Sequence, residues 1–70
     1  MSIKKITYNI CDQMREQKMS ILETAKQIGV HRNTLAAYLN NPGKMPVDKF
    51  YAIAQALGVS VNDLMKGVTE

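Results

Sequence analysis

The stretch Ser20–Asn40, SILETAKQIGVHRNTLAAYLN, decides the fold of this chain of 70 residues. At its start, Ser20 and Glu23 have the spacing of a capping box. In that motif the hydroxyl accepts a hydrogen bond from the third backbone N–H, and the carboxylate accepts one from the N–H of the cap itself. The apolar residues that follow recur at helical spacing. The pattern therefore predicts a capped helix over Ile21–Ile28.

A second helix follows after a very short connection. Gly29 suits the left-handed residue that ends a helix, and only Val30 separates it from the helical pattern of His31–Asn40. Ala25 is small where the two helices should approach most closely, and Leu35 can fill the angle between them. Two short helices joined by so tight a turn predict a helix-turn-helix at about residues 20–40.

The rest of the chain shows three further helical patterns and no strand alternation. Apolar residues spaced by three and four predict a helix over Lys4–Lys18 and another from Pro46 or Val47 to Leu57. Ser60 and Asp63 repeat the capping-box spacing, with Asp in place of Glu, and start a short last helix. The predicted fold class is all-α, a compact globule of five helices.

Composition restricts the classes of function. Seventy residues predict a single domain over residues 1–70, with little room for both a core and a deep pocket. No apolar run approaches the length of about 18 residues that a membrane span needs, and no signal peptide is recognisable. The net charge of +3 permits a polyanionic partner without identifying one. We expect a cytoplasmic protein that has no membrane segment.

Reactive side chains are scarce. The single cysteine, Cys11, excludes an internal disulfide, and with one histidine the chain lacks a typical four-ligand zinc site. Cys11 is expected to be buried as a small apolar residue. No nucleophile and base stand out as a pair. We therefore expect no enzyme activity, no catalytic residue, no metal and no cofactor.

The motif residues carry a resemblance to a known family. Ala25, Gly29, Val30, Leu35 and Tyr38 stand at the offsets found in lambda-repressor-like helix-turn-helix proteins of the Cro/repressor type, which this chain resembles. The resemblance extends over about residues 6 to 65, including the fourth helix and its exit. It implies a lambda-repressor-like fold and sequence-specific binding of double-stranded DNA, as in a small prokaryotic or phage transcriptional regulator such as a Cro-like repressor.

In that family the second helix of the motif enters the major groove with its N-terminal residues on base edges. Arg32 can donate two hydrogen bonds to guanine, and Asn33 can pair with adenine. His31 could contact a base or only cap the helix, and Tyr38 is expected in the core. Carried over by position, the predicted base contacts of the helix His31–Asn40 are His31, Arg32, Asn33, Ala36 and Ala37.

The resemblance also predicts contacts with the DNA backbone. The predicted phosphate contacts are Ser20, Thr34, Asn40, Lys44 and Lys49. Two positions depart from the family: Ile21 replaces a Gln that binds a phosphate, and Lys18 stands where a Gly commonly ends the first helix. Met14 and Leu39 replace a family Arg–Glu pair, so we expect these two side chains to be in contact.

The expected assembly is a homodimer, at least on a pseudo-palindromic operator whose half-sites lie about 34 Å apart. The residues predicted for the dimer surface, which could instead complete the core, are Val61, Leu64, Met65 and Val68. The chain could be a whole Cro-like regulator or the N-terminal part of a longer repressor. An alternative function is a protein–protein module, an antitoxin or antirepressor, using an exposed apolar patch at Ile21 and Leu22.

Overall fold

Residues 3–68 are described by a computed structural model. They fold into five α-helices and one 3-10 turn, without a strand in this range. In chain order the elements are α1 (Lys4–Glu16), α2 (Ile21–Ile28), α3 (Arg32–Asn40), the 3-10 turn (Pro42–Lys44), α4 (Val47–Leu57) and α5 (Val61–Leu64). The predicted all-α architecture of five helices is confirmed. No helix among these residues is long and apolar enough to cross a membrane.

The predicted end of α1 was two residues too late. Lys18 has φ +57°, in the left-handed region that a helix cannot continue through. The Met19 N–H donates to the Met14 carbonyl at 2.9 Å and the Lys18 N–H to the Arg15 carbonyl at 3.2 Å. These two bonds satisfy the last carbonyls of α1 in the manner of a Schellman cap. Lys18 therefore has the conformation that Gly commonly supplies at this position.

Side chains from all five helices form one core. Its buried apolar members are Ile6, Ile10, Met14, Ala25, Ile28, Leu35, Leu39, Ile53, Ala54, Leu57, Leu64 and Val68. Met14 and Leu39 share this cluster, and direct contact between them stays a prediction. Two expectations were wrong in degree. Cys11 and Tyr38 are half-buried rather than buried. Cys11 packs against the core. Tyr38 is half-buried because Leu35 and Leu39 form the inward face of α3 and Tyr38 lies beside it.

The C-terminal residues belong mainly to the core. Leu64 and Val68 are buried, so they cannot form the exposed dimer surface considered above. The side-chain amide of Asn9, on α1, donates to the carbonyls of Leu64 at 2.8 Å and Lys66 at 2.9 Å. These bonds attach α5 and its exit to the first helix. Only Val61 and Met65 of the four candidates keep partial exposure.

The helix-turn-helix is held by a close approach and a left-handed turn. Ala25 is buried between its neighbours, and the Val30 N–H donates to the Ala25 carbonyl at 3.0 Å. Gly29 has φ +78° with open space around it, so conformation rather than room requires glycine there. At the far end of α3, the Thr7 hydroxyl donates to the Leu39 carbonyl at 2.7 Å. Both ends of α3 are thereby fixed to the rest of the protein.

Candidate nucleic-acid interface

The N-terminus of α3 is capped by a neutral side chain. His31 has extended backbone angles, and its ring Nδ1 accepts a hydrogen bond from the Asn33 N–H at 3.0 Å. A ring that accepts through Nδ1 carries its hydrogen on Nε2, which leaves one N–H donor for a partner outside. No acidic residue lies in the first turn of α3. This helix end therefore keeps its partial positive charge for an anionic surface.

The predicted base-contacting residues share the outer side of α3. His31, Arg32, Asn33 and Ala37 are exposed, and Ala36 is half-buried. Within the described residues, the only ion pair joins Arg15 and Asp12, so the Arg32 guanidinium is not engaged in one. The alanines follow one turn after the polar residues, where small side chains allow close approach to a surface. The structure thus brings the three exposed polar residues and the two alanines together at the start of α3.

The predicted phosphate contacts are spread around both ends of α3. Thr34 is half-buried in its first turn, while Asn40 is its exposed last residue. Lys44 is exposed at the end of the 3-10 turn, and Lys49 is half-buried in α4. Three of these four residues therefore lie at or beyond the C-terminal end of α3. The C-terminal end of α3 and the 3-10 turn packed against it therefore expose one amide and one lysine.

Ser20 is committed to the cap of α2. Its Oγ accepts from the Glu23 N–H at 3.1 Å and lies 3.3 Å from Glu23 Oε1, to which it can donate. The same carboxylate accepts from the Ser20 N–H at 3.4 Å. The capping box is confirmed, and it argues against the predicted Ser20–phosphate contact, because the hydroxyl hydrogen is directed at a carboxylate. Glu23 also places a negative charge where a phosphate would have to lie.

A groove that the sequence did not predict lies beside the C-terminal end of α3. This α1–α3 groove has a volume of about 300 Å³, and its lining includes Lys4, Tyr8, Cys11, Arg15, Leu39 and Asn40. Its α1 wall and its α3 wall lie more than 20 residues apart in sequence, so no local pattern could have joined the two walls. Of its lining residues, only Asn40 is among the predicted phosphate contacts.

A second groove shares the lining residue Pro42 with the first. The α4–α5 groove has a volume of about 330 Å³, and its lining includes Met45, Val47, Phe50, Tyr51, Val61 and Met65. None of its lining residues is charged. Within residues 3–68 no three His, Cys, Asp or Glu side chains come together as they would to hold a metal ion.

Comparison with known proteins identifies the family. The model of a helix-turn-helix family matches residues 12–64, from the middle of α1 to the end of α5. No curated protein and no solved structure matches the chain. The matched range contains α2, α3 and the turn between them, together with most of the core that supports them. The chain belongs to the Cro/C1-type helix-turn-helix family and contains a DNA-binding domain of that family.

Proposed function

We propose that this protein is a small prokaryotic or phage transcriptional regulator, such as a Cro-like repressor, acting on operator DNA in the cytoplasm. The first turn of α3 reads the base edges in the major groove. One observation carries the proposal: this turn has a neutral cap and no acidic residue, and it exposes Arg32 and Asn33 ahead of a small-residue surface. Such a helix end suits the major groove in charge and in shape.

Each base-reading residue has a distinct chemical role in this proposal. Arg32 donates two hydrogen bonds to O6 and N7 of a guanine, and Asn33 pairs with N6 and N7 of an adenine. His31 donates from Nε2 to a base or phosphate acceptor. Ala36 and Ala37 contact a thymine methyl group or simply admit the helix into the groove.

Contacts with the backbone supply affinity but no sequence preference. Thr34, Asn40, Lys44 and Lys49 take this part, on the two sides of the reading turn. Thr34 in the first turn of α3 and Asn40 at its end support the assignment, since a helix in the major groove lies between two phosphate strands. The net charge of +3 favours this association and makes it sensitive to salt.

A second copy of this chain is proposed to cover the α4–α5 groove. Val61 and Met65, the two exposed members of the predicted dimer surface, line this groove. Two copies of a chain with net charge +3 repel each other, so they approach most easily through a face without charges. An isologous interface must also be complementary to itself, which an uncharged apolar surface satisfies.

Selection from a random duplex library tests the DNA-reading proposal. The wild type should enrich a short motif, and Arg32→Ala should lose preference at one G·C pair at a cost of about 1–3 kcal/mol. Lys26→Ala is the matched control, because it removes the same charge from an exposed position of α2 outside the reading turn. Absence of enrichment at low salt would reject the proposal.

Sedimentation of the protein on a duplex with two half-sites tests the dimer. Val47→Glu puts a charge into the α4–α5 groove and should leave one copy bound where the wild type binds two. Gln55→Glu adds the same charge at an exposed position of α4 and should change nothing. Equal stoichiometry for Val47→Glu and the wild type would place the dimer contact elsewhere.

One observation favours the alternative function as a protein–protein module. Ile21 and Leu22 are 39% and 45% exposed, so the apolar patch expected for an antitoxin or antirepressor is present. Salt separates the two functions. Specific DNA binding should weaken steeply between about 50 and 200 mM salt, whereas docking of a protein on an apolar patch should not. Leu22→Ser should weaken docking of a protein on the apolar patch and leave DNA binding unchanged.

A further inference from the structure

The α1–α3 groove combines an apolar floor with a polar rim. Leu39 and Pro42 are buried, whereas the lining residues Lys4, Tyr8 and Asn40 are exposed. Arg15 completes the rim with its side chain 78% exposed. The lining therefore contains two cations and no carboxylate. This arrangement suits a chain that alternates apolar sugars with phosphates.

The position of the groove connects it with α3. Asn40, the last residue of α3, is a predicted phosphate contact and also a lining residue. The Thr7 hydroxyl, bonded to the Leu39 carbonyl at 2.7 Å, holds the two walls together. A duplex whose backbone passes Asn40 therefore continues along the rim formed by α1.

The N-terminus of α2 offers a poor alternative anchor. The Glu23 carboxylate takes part in its capping box, and Ile21 and Leu22, which follow the cap residue Ser20, are exposed and apolar. A phosphate at that end would lose its hydration beside a negative charge and two hydrocarbon side chains. The lining of the α1–α3 groove, in contrast, contains a lysine and an arginine and no carboxylate.

We propose that the α1–α3 groove binds the DNA backbone, with Lys4 and Arg15 contacting phosphates that flank the bases read by α3. This inference rests on the proposed DNA-reading function and adds two binding residues from α1 to it. Leu39 and Pro42 lie against the sugar. The Tyr8 hydroxyl, exposed at the rim, is a further donor to a phosphate oxygen.

Arg15 must leave its present partner to bind a phosphate. Its Nη1 lies 3.3 Å from Asp12 Oδ1, and the two side chains are 78% and 59% exposed. An ion pair so exposed contributes little and is screened by salt. Asp12 is not among the lining residues, so its carboxylate weakens the site only by proximity. Arg15 can therefore exchange Asp12 for a phosphate at a small cost in free energy.

The dependence of binding on salt tests the groove. Wild type, Arg15→Gln, Lys4→Gln and the double variant are titrated with one enriched duplex between about 50 and 200 mM salt. Each single substitution should lower the slope of log affinity against log salt by about 0.9, and the double variant by about 1.8. Preference among bases should stay as in the wild type, since phosphates carry no sequence information.

Two control variants make the result specific. Lys66→Gln removes the same charge from an exposed residue outside the groove lining and should keep the wild-type slope. Asp12→Asn frees Arg15 and should strengthen binding several-fold, the opposite direction to Arg15→Gln. Ethylation of single phosphates locates the contact: one position that weakens the wild type should lose its effect in Arg15→Gln.

Two outcomes overturn the groove and leave the proposed function intact. In the first, Arg15→Gln and Lys4→Gln both keep the wild-type slope of log affinity against log salt, on a duplex that the protein still selects. The second is an equal fall in slope for Lys66→Gln, which would indicate net charge rather than a contact. Failure of the wild type to bind any duplex rejects the proposed function itself, and the groove proposal with it.

Discussion

The N-termini of α2 and α3 differ, although both are capped by a side chain in the same short segment. The α2 end has Ser20 and Glu23 in a reciprocal box, in which the Glu23 carboxylate accepts from the Ser20 N–H. The α3 end has only the neutral ring of His31 and no acid in its first turn. The charged cap stabilises its helix and repels a phosphate, whereas the neutral cap leaves the helix dipole available. The difference is consistent with the proposed function, in which the α2 end supports the fold and the α3 end meets DNA.

The largest expected effect comes from giving α3 the charge that α2 has. Ala37→Glu places a carboxylate on the exposed side of α3 and should weaken DNA binding at least about 100-fold, because a like charge held against DNA costs several kcal/mol. Gln27→Glu makes the same charge change on an exposed position of α2 and should cost little. Titration with the enriched duplex measures both, and similar losses would contradict the comparison.

Removal of each cap separates stability from binding. Ser20→Ala and His31→Ala should each lower the free energy of unfolding by about 1 kcal/mol, which corresponds to about 4–8 °C in melting temperature. Only His31→Ala should also weaken DNA binding by the folded protein. His31→Asn should restore the cap and the stability but change base preference. Thermal denaturation of the three variants measures stability, and duplex titration measures DNA binding. Equal DNA binding by all three would contradict the proposal that His31 contacts DNA.

A smaller effect is expected just before α2. Lys18→Gly should raise the free energy of unfolding by about 0.5–1 kcal/mol, because glycine adopts φ +57° without the steric cost that a Cβ brings. The gain is limited by the larger freedom of glycine in the unfolded chain. Urea denaturation measures it, with Lys26→Gly in the middle of α2 as a control that should destabilise. A loss of stability in Lys18→Gly would indicate that the lysine side chain packs usefully.

The smallest effect concerns a third capped helix, α5, which resembles α2 in having an acidic box. The pKa of Asp63 is lowered, chiefly by the hydrogen bond that its carboxylate accepts from the Ser60 N–H. The hydrogen bond with the Ser60 side chain contributes next and attraction to Lys66 least, while desolvation acts in the opposite direction. A lowered pKa in the folded state means that the carboxylate stabilises at neutral pH. That stabilisation is lost as pH falls through the lowered pKa. Urea denaturation at several pH values should show a shallower acid-side loss for Asp63→Asn than for the wild type, and parallel curves would exclude this contribution.

Local rules predicted much of the fold. The capping boxes and Gly29 identified the bounds of α2 correctly because each acts within four residues of the helix end. The end of α1 was placed two residues late because Lys18 gives no sign of its left-handed conformation. The burial of Leu64 and Val68 depends on α1, through contacts such as Asn9 with the Leu64 carbonyl, which are 55 residues apart in sequence.

Only the part of the candidate site that is contiguous in sequence, the first turn of α3, was predictable. The exposed first turn of α3 follows from the motif, since Leu35 and Leu39 must face the core. The α1–α3 groove depends on Thr7 lying against the Leu39 carbonyl, a relation across 32 positions that no spacing encodes. The spacing of Ser20 and Glu23 predicted the cap, but its effect on phosphate binding follows only from the directions of the hydroxyl and the carboxylate.

The hydrogen bond from the Asn33 N–H to the His31 ring restricts how this protein can acquire a new operator. A residue that replaces His31 must still supply an acceptor to the start of α3, which limits the useful alternatives to Ser, Thr, Asp and Asn. Asp would add a negative charge on the DNA side, so three neutral choices remain. Retargeting by selection should therefore begin at Asn33 and Ala37, where a change of side chain leaves the helix start intact. On the proposed function, fewer kinds of side chain are therefore tolerated at position 31, at the start of α3, than one turn further along the helix.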